Sequence, residues 1–281
     1  MKRNAIIRIV LWSLTLAVLL VLLVAGMSHP LLNFSARRSM PSQAAPVPGD
    51  AAVYALPAND IQNVEIDWIS GDISVQSADL DHIQVSESPV QESPYAMVCQ
   101  RDDHTLKIAF CEGTLSSIKN FGTKSLTVLV PRDWVCQSLE ISAASAKFTG
   151  RALTIREVSL DTASGASRFE DCTVGKLDVN TASADVFVSG TLQELECDSA
   201  SANVTAELEN TPDKIEMDTA SGSILLKLPA DAGFTVSMDA LRSKFDSDFP
   251  TTRQDNRYLC GSGSCKINMD SMSGKISIYR K

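Results

Sequence analysis

The sequence predicts an all-β chain of the β-solenoid class: a single-domain β-helix with coils of about 19 residues, preceded by one N-terminal transmembrane helix. Three observations predict it: a phrase that returns eight times, a period-two apolar pattern within each copy, and a long uncharged stretch near the N-terminus. The last Ser of the phrase, or its equivalent, is found at Ser70, Ser145, Ser164, Ser183, Ser201, Ser221, Arg242 and Ser273. The central spacings of 19, 19, 18, 20 and 21 residues are typical of stacked repeats.

Each copy of the phrase has the periodicity of a β-strand. With the final Ser as position zero, positions −6 and −4 are apolar, as in Val64 and Ile66. Positions +3 and +5 are also apolar in several copies, as in Ile73 and Val75. The inward parity changes between these pairs, so a corner at about −3 to 0 must absorb one residue, and small residues at −1 and +1 favour it. We therefore expect strand–corner–strand coils stacked in parallel, about 4.8 Å apart.

The N-terminal 27 residues indicate a membrane anchor. Lys2, Arg3 and Arg8 precede the uncharged residues 9–27, and 19 helical residues span roughly 28 Å, close to the thickness of a bilayer core. A cleavable signal peptide is the alternative, although its apolar region is usually shorter. Either reading places the basic flank inside and the rest of the chain outside the cytoplasm. We therefore predict a single-pass protein of the cell membrane whose C-terminal domain is extracytoplasmic.

The remaining chain divides into three parts. Residues 28–58 are rich in Pro, Ala and Ser and are predicted to form a semi-extended linker. Residues 59–135 are less regular, and we interpret them as the N-terminal cap with early coils, including the strands TLKIAF and SLTVLVP. Residues 136–281 are predicted to form regular coils, with an insertion at 249–265 that protrudes near the C-terminal end.

The charge distribution argues against a nucleic-acid partner. Five of the 25 basic residues lie in 1–49, where no acidic residue occurs, so the rest of the chain has a net charge of −14. A domain this acidic lacks the basic patch that nucleic acid requires, and anionic headgroups would repel it.

Seven cysteines leave at least one thiol unpaired in any disulfide scheme. Cys260 and Cys265 are the nearest pair in the sequence and the first disulfide candidate, followed by Cys99 and Cys111, which flank a predicted hairpin. The other three cysteines occupy different positions of the repeat, so stacking does not bring them together.

Position −3 carries a row of mostly acidic residues. Its members are Asp67, Ser142, Asp161, Asn180, Asp198, Asp218, Asp239 and Asp270. Stacking would align them on the outside of the coils, either as corner residues that accept backbone N–H bonds or as oxygen ligands for a hard cation such as Ca²⁺. Since Asn180 and Ser142 can cap a turn but bring no charge, we interpret the row as scaffold and expect no metal ligands.

Sequence motifs of catalysis are missing. The chain has three histidines, His29, His82 and His104, and no GxSxG, HExxH, P-loop or GxGxxG phrase. A carboxylate repeated at one structural position differs from a single tuned acid–base pair. We therefore expect no catalytic residues, no cofactor-binding residues and no enzyme activity. Possible exposed aromatic residues are Trp68, Trp134, Phe148, Phe169 and Phe187, but their scatter defines no ligand site.

The pattern resembles a bacterial domain-of-unknown-function family labelled "putative adhesin". The resemblance covers about residues 60–281 and depends on the TLKI strand, the LTVLVP strand ending at Pro131, the repeated DTASG phrase and the closing GSGSCKINMDSMSGKISIYRK. Arg242 and Ser142 depart from the repeat. The resemblance implies a β-solenoid on a membrane-anchored or secreted protein, and it supplies no catalytic residues.

Together these features predict a membrane-anchored, extracytoplasmic, non-catalytic module for cell-surface interaction or structure. Its expected partners are the membrane, through residues 9–27, and an envelope protein or glycan. The alternative is a regulatory or sensory component of a bacterial cell-envelope stress-response system, which the resemblance also implies. Sequence alone leaves the two open, because a solenoid flank is a generic binding surface.

Overall fold

The computed structural model describes residues 53–92, 95–111, 122–240, 244–255 and 257–281. Within these ranges the chain is all-β, with one short 3₁₀ helix at Ala58–Asp60, and its strands belong to one long sheet. Among the same residues, no helix has the length and apolarity needed to cross a membrane. The predicted membrane segment 9–27 lies outside the described residues.

The strands of the described ranges vary from 3 to 17 residues in length. They are β1 Val53–Pro57, β2 Asn63–Ala78, β3 His82–Ser88, β4 Val98–Asp102, β5 Thr105–Ala109, β6 Ser125–Pro131, β7 Val135–Arg151, β8 Thr154–Ser164, β9 Ser167–Ser183, β10 Val186–Ser199, β11 Asn203–Leu208, β12 Lys214–Leu228, β13 Phe234–Ala240, β14 Lys244–Ser247, β15 Thr252–Gln254, β16 Arg257–Cys260 and β17 Cys265–Arg280.

The residues before the corner of each repeat form one parallel ladder, which we call the leading ladder. Its order in space is β5, β2, β7, β8, β9, β10, β12, β17 and β13. Equivalent positions of the phrase are in register, so Cys197 pairs with Met217, which pairs with Met269. The predicted parallel stacking of repeats is confirmed.

The residues after the corner form a second parallel ladder, which we call the trailing ladder. Its order is β6, β2, β7, β9, β10, β11, β12, β17 and β14. The inward side chains of the two ladders pack into one continuous apolar core. Phe148 and Phe169 lie within it, with ring centroids 5.0 Å apart.

The corner spans fewer positions than the range of about −3 to 0 that the sequence predicted. Side chains point inward at −6, −4 and −2, and again at +1, +3 and +5, so the parity changes across positions −1 and 0. Thr219 at −2 and Ala202 at +1 are both buried. Small residues are required at +1 because this position approaches the carbonyl of the neighbouring coil. A Cβ built on Gly165, which has a φ of +121°, would lie 2.2 Å from the Ala146 carbonyl oxygen.

Both ends of the stack depart from chain order. β2 is the first repeat in the sequence, yet β5 and β6 lie outside it. β17 is the last repeat in the sequence, yet β13 and β14 lie outside it. The repeats that are first and last in the sequence, β2 and β17, therefore have a parallel neighbour on both sides. The outermost parallel strands in space come instead from the interior of the sequence.

Antiparallel strands cover both outer edges. At the N-terminal end β4 pairs with β5, while β3 pairs with β6 and β1 with β3. β1 therefore places Val53–Pro57, the last part of the predicted linker, in the sheet. At the other end β16 pairs with β13, and β15 pairs with β16. The insertion 249–265 was expected to protrude; instead it forms these edge strands, because the outer side of β13 would otherwise have unpaired backbone groups.

Candidate functional site

The position −3 side chains from Asp67 to Asp218, and that of Asp270, lie on the outside of the leading ladder, as predicted. Register places Asp198 beside Asp218, Asp218 beside Asp270, and Asp270 beside Asp239. Asp270 precedes Asp239 because the last repeat lies one coil inside the end of the stack. The row is therefore continuous across the change in chain order.

Four aspartates of the acidic row have raised pKa values. Partial burial raises the pKa of Asp218 to about 6, and the neighbouring carboxylates of Asp270 and Asp198 add to this effect. Burial also raises the pKa values of Asp67, Asp161 and Asp198. Partial burial therefore makes the charged form of these four aspartates less favourable than it is in water.

The two interpretations of the row have different outcomes. These aspartates lie within paired strands, not in a turn, and no described backbone N–H donates to the carboxylates of Asp161, Asp198 or Asp218; the turn-capping interpretation is wrong for these three. In the described parts of the chain, no group of three or more His, Cys, Asp or Glu side chains could hold a metal ion.

Two of the three histidines are in the described ranges, and both are on the surface. His82 Nδ1 lies 2.7 Å from Asp81 Oδ1, and His104 Nδ1 lies 3.1 Å from the Asp60 carbonyl oxygen. Neither pair includes a nucleophile, and His29 lies outside the described residues. These contacts resemble surface caps of turns more than a catalytic relay.

The five aromatic residues considered from sequence separate clearly by burial. Trp68, Phe148 and Phe169 are buried, and Trp134 is half-buried with its Nε1 donating to the Ile61 carbonyl at 2.9 Å. Phe187 lies on the outside of the trailing ladder, where its ring is partly exposed. Parity around the corner decides this: Phe148 is at +3 and points inward, whereas Phe187 is at +4 and points outward.

Phe187 borders a shallow depression of about 210 Å³ that extends over three coils. Its outward-facing lining forms two rows of three residues, at +2 and +4 of successive repeats: Ala166, Asp185 and Asn203, and Arg168, Phe187 and Thr205. Ala166 has the smallest side chain of its row and leaves the space open. Ser167 and Val186, which are buried, form the floor.

The polar groups of the depression are held in place. Asp185 Oδ1 accepts from the backbone N of Asn203 at 3.1 Å and from its Nδ2 at 3.0 Å. Arg168 lies over the Phe187 ring, with its guanidinium carbon 4.4 Å from the centroid, and its Nε donates to Glu170 at 3.0 Å. Hydrogen bonds from Arg168 and Arg151 lower the pKa of Glu170 and keep that acceptor charged.

A buried ion pair lies in the irregular region between 86 and 125. Lys124 and Glu87 are each 3% exposed, and Lys124 Nζ lies 2.7 Å from Glu87 Oε2. The ammonium also donates to the carbonyls of Tyr95, at 2.8 Å, and Phe110. Glu87 accepts from the Met97 backbone N at 3.2 Å. Both charges of the pair are therefore compensated inside the N-terminal cap. Sequence reasoning missed this pair, since neither residue belongs to the repeat.

The cysteines are free in the structure, so both predicted disulfides are wrong. Cys260 and Cys265 pair with the same residue, Phe234, from opposite sides of β13. Two strand spacings separate them by about 10 Å, which exceeds the Cα separation of a disulfide. Cys99 lies opposite Ile108 within the β4–β5 pair, whereas Cys111 lies beyond the end of β5.

Comparison with known proteins gives a family match over most of the chain. The sequence profile of the family described as Toastrack DUF4097 matches residues 52–279. The chain belongs to this family. No curated protein matches this Toastrack chain.

Solved structures similar to this Toastrack chain include three bacterial proteins. A "putative adhesin" from Bacteroides fragilis is 14% identical with a TM-score of 0.46, and covers 84% of this chain and 99% of its own. A "putative adhesin" from Parabacteroides merdae is 14% identical with a TM-score of 0.44, covering 81% and 96%. A "putative cell adhesion protein" from Clostridium sporogenes is 12% identical with a TM-score of 0.40, covering 82% and 99%.

Proposed function

We propose that the protein is a membrane-anchored, extracytoplasmic module that binds an envelope protein or glycan and performs no catalysis. The observation that carries the proposal is the position of β1 at the outermost edge of one end of the stack. A linker and anchor that precede β1 would join the stack at this end. The strands β15 and β16 would then be at the far end, away from the membrane.

The dimensions of the stack support a projecting module. The leading ladder contains nine parallel strands, and an interstrand spacing of about 4.8 Å gives about 38 Å between the first and the last. Its outer acidic row would be repelled by anionic lipid headgroups, which favours an orientation away from the bilayer. The outward faces of the leading and trailing ladders then remain available to a large partner.

The non-catalytic part of the proposal is supported by how the polar groups are used. Among the described residues, the most buried charged pair is Lys124 and Glu87, and its hydrogen-bond partners lie inside the cap. The acidic row repeats one residue type at one structural position. A reaction instead needs two groups whose pKa values are set apart at one place.

Topology is tested with a cysteine on the distal edge. Thr252 is exposed on β15, whereas most of the described native cysteines are buried. Intact cells that produce full-length Thr252→Cys should react with a membrane-impermeant maleimide, and wild-type cells are the matched control for native thiols. Labelling that requires cell lysis would place the stack inside the cytoplasm and overturn the proposal.

The role in cell attachment is tested by deleting the gene that encodes this chain. We expect attachment of the cells to surfaces or neighbouring cells to fall, with expression of envelope-stress genes unchanged. The opposite pattern, altered stress-gene expression with normal attachment, would favour the regulatory alternative. Complementation with the full-length chain should restore attachment.

A further inference from the structure

We propose that the depression at Phe187 binds one unit of a neutral saccharide. The inference depends on the proposed function, because it names the ligand of an interaction module. It rests on one depression that combines a partly exposed aromatic ring with fixed polar side chains.

The ring of Phe187 provides a partly exposed apolar surface at the depression. Phe187 is paired in register with Arg168 on one side and with Thr205 on the other. Arg168 covers one face of the ring at 4.4 Å. The neighbour on the other side, Thr205, also lines the depression. The C–H groups of a sugar ring carry partial positive charge and pack favourably on an aromatic face.

The polar side chains supply both donors and acceptors around this platform. Within the described residues, Asp185 uses only Oδ1 for protein hydrogen bonds, and the Nη atoms of Arg168 have no acceptor. The hydroxyl of Thr205 likewise has no protein partner there. Sugar hydroxyls donate and accept at the same time, so such a mixed set suits them. Because these groups are held on adjacent strands, binding would order few side chains.

Charge favours a neutral ligand over an anionic one. Among the residues that line the depression, Arg168 provides one positive charge and Asp185 one negative charge, and Glu170 beside them pairs with Arg168 and Arg151. Glu170 accepts from both arginines, which leaves little excess positive potential. A carboxylated or sulfated sugar would also lie close to Asp185, where like charges repel.

The size of the depression favours one unit of a longer chain. Its volume of about 210 Å³ is below the roughly 300–1,000 Å³ of pockets that enclose drug-sized ligands. A single sugar ring would occupy it, and the rest of the oligosaccharide would lie along the flat trailing ladder. Affinity would then come from several such weak contacts.

The proposal is tested with the full-length chain in lipid nanodiscs, which avoids detergents that carry sugar headgroups. The probes are neutral gluco-, galacto- and manno-oligosaccharides and a matched set of uronic-acid oligosaccharides. We expect saturable binding of at least one neutral probe. Phe187→Ala should weaken it by about tenfold or more, as expected for a central aromatic contact.

Leu225→Ala is the matched control. Leu225 occupies the same +4 position of the trailing ladder two coils away from Phe187, is also partly exposed, and lies outside the depression. Its replacement should change binding by less than about twofold, as for a residue outside the contact. Thr205→Val keeps the shape of its side chain, removes the hydroxyl, and should weaken binding even if Phe187→Ala folds poorly.

Three results would overturn the saccharide site: no neutral probe binds, only uronic-acid probes bind, or Phe187→Ala and Leu225→Ala behave alike. Failure here is distinguishable from failure of the proposed function. Cells with Phe187→Ala that still attach normally would retain the interaction module and lose only this site. Loss of surface labelling at Thr252→Cys would instead overturn the module itself.

Discussion

The two ends of the stack have the same topology and different chemistry. At each end a terminal repeat is inserted one coil inward, and antiparallel strands cover the outermost coil. The N-terminal end combines the buried pair of Lys124 and Glu87 with an edge-to-face contact between Trp68 and Phe110, whose ring centroids are 5.0 Å apart. The C-terminal end is held by aromatic packing, with Phe245 and Tyr258 stacked at 4.3 Å and Phe234 against Phe249 at 5.3 Å.

This difference shows two ways in which a repeat protein can cover its outermost strands. The edge strands must be paired or covered, but the repeat itself supplies no residues for that task. At the N-terminal end a charge is buried and fully hydrogen-bonded, so loss of one partner leaves the other without compensation. At the C-terminal end the rings of Phe245 and Tyr258 are only half-buried, and a stacked aromatic pair of this kind contributes less. Substitution of Lys124 should therefore cost more stability than substitution of Tyr258.

The largest expected effect is at the buried pair. Lys124→Met should lower the free energy of unfolding by about 3–5 kcal/mol, because the Glu87 carboxylate remains buried without its partner. Urea denaturation of the full-length chain in detergent would measure this. Lys147→Met, at an exposed lysine on β7, should change stability by less than about 0.5 kcal/mol.

The double variant Lys124→Met/Glu87→Leu sharpens this test. Removing both charges should recover most of the loss, since the isolated buried carboxylate is then gone. A Lys124→Met variant as stable as wild type would show that the pair does not hold the N-terminal end.

The next largest loss of stability is expected where the backbone at Gly71 lies close to the backbone of Lys124, at the same end of the stack. Gly71 has a φ of +109°, and a Cβ there would lie 2.0 Å from the Lys124 carbonyl oxygen. Gly71→Ala should therefore cost about 2 kcal/mol or more of unfolding free energy. Gly122→Ala is the control, because no atom lies within 4 Å of its Cβ position. Equal effects of the two substitutions would contradict the close approach.

A smaller effect is expected at the C-terminal end. Tyr258→Ala removes the ring that stacks on Phe245 and should cost about 1 kcal/mol. Hydrogen exchange should become faster in β13 and β16, with the central coils unchanged, since the edge can open locally. Tyr258→Phe retains the ring and should leave exchange as in wild type. Uniformly faster exchange would instead indicate one cooperative unit.

The smallest effect concerns the acidic row between the two ends. The pKa of Asp218 is raised to about 6 in the folded state, so the folded chain binds this proton more tightly than the unfolded chain. Its contribution to stability is therefore favourable at low pH and is lost as pH rises through about 6. Because the side chain is partly exposed, solvent screening should keep the effect below about 1 kcal/mol.

Asp218→Asn should accordingly raise the melting temperature at pH 7.5 and leave it nearly unchanged at pH 4.5. Asp246→Asn is the contrasting variant, because hydrogen bonds from Lys275 and Tyr279 lower the pKa of Asp246. It should not be stabilising at pH 7.5. A lower melting temperature of Asp218→Asn at pH 7.5 would contradict the proposed repulsion within the row.

Local patterns predicted the central coils well. Period-two positions such as Ile215 and Met217 are buried, and the −3 residues align in register as expected. The family was also recognisable from the repeated phrase and the strands TLKI and LTVLVP. These features are readable because each repeat requires the same short-range geometry, so the signal recurs eight times.

The depression at Phe187 was only partly predictable. Phe187 was one of five aromatic candidates, and nothing separated it from Phe148 until the corner was located at positions −1 and 0. Its partners Arg168, Asp185 and Asn203 come from three coils and share no motif. If it had been known that positions +2 and +4 of the trailing ladder point outward, all of these residues would have been placed on one face.

The sequence by itself determined the repeating coil: its strands, its corner of small residues and the outward acidic row. These depend on neighbours within a few residues or at the same position of the adjacent repeat. The tertiary structure alone decided the exchange of order at both ends, the Lys124–Glu87 pair and the separation of Cys260 from Cys265. Each depends on which strand covers an open edge, and that choice is made by contacts between residues far apart in the sequence.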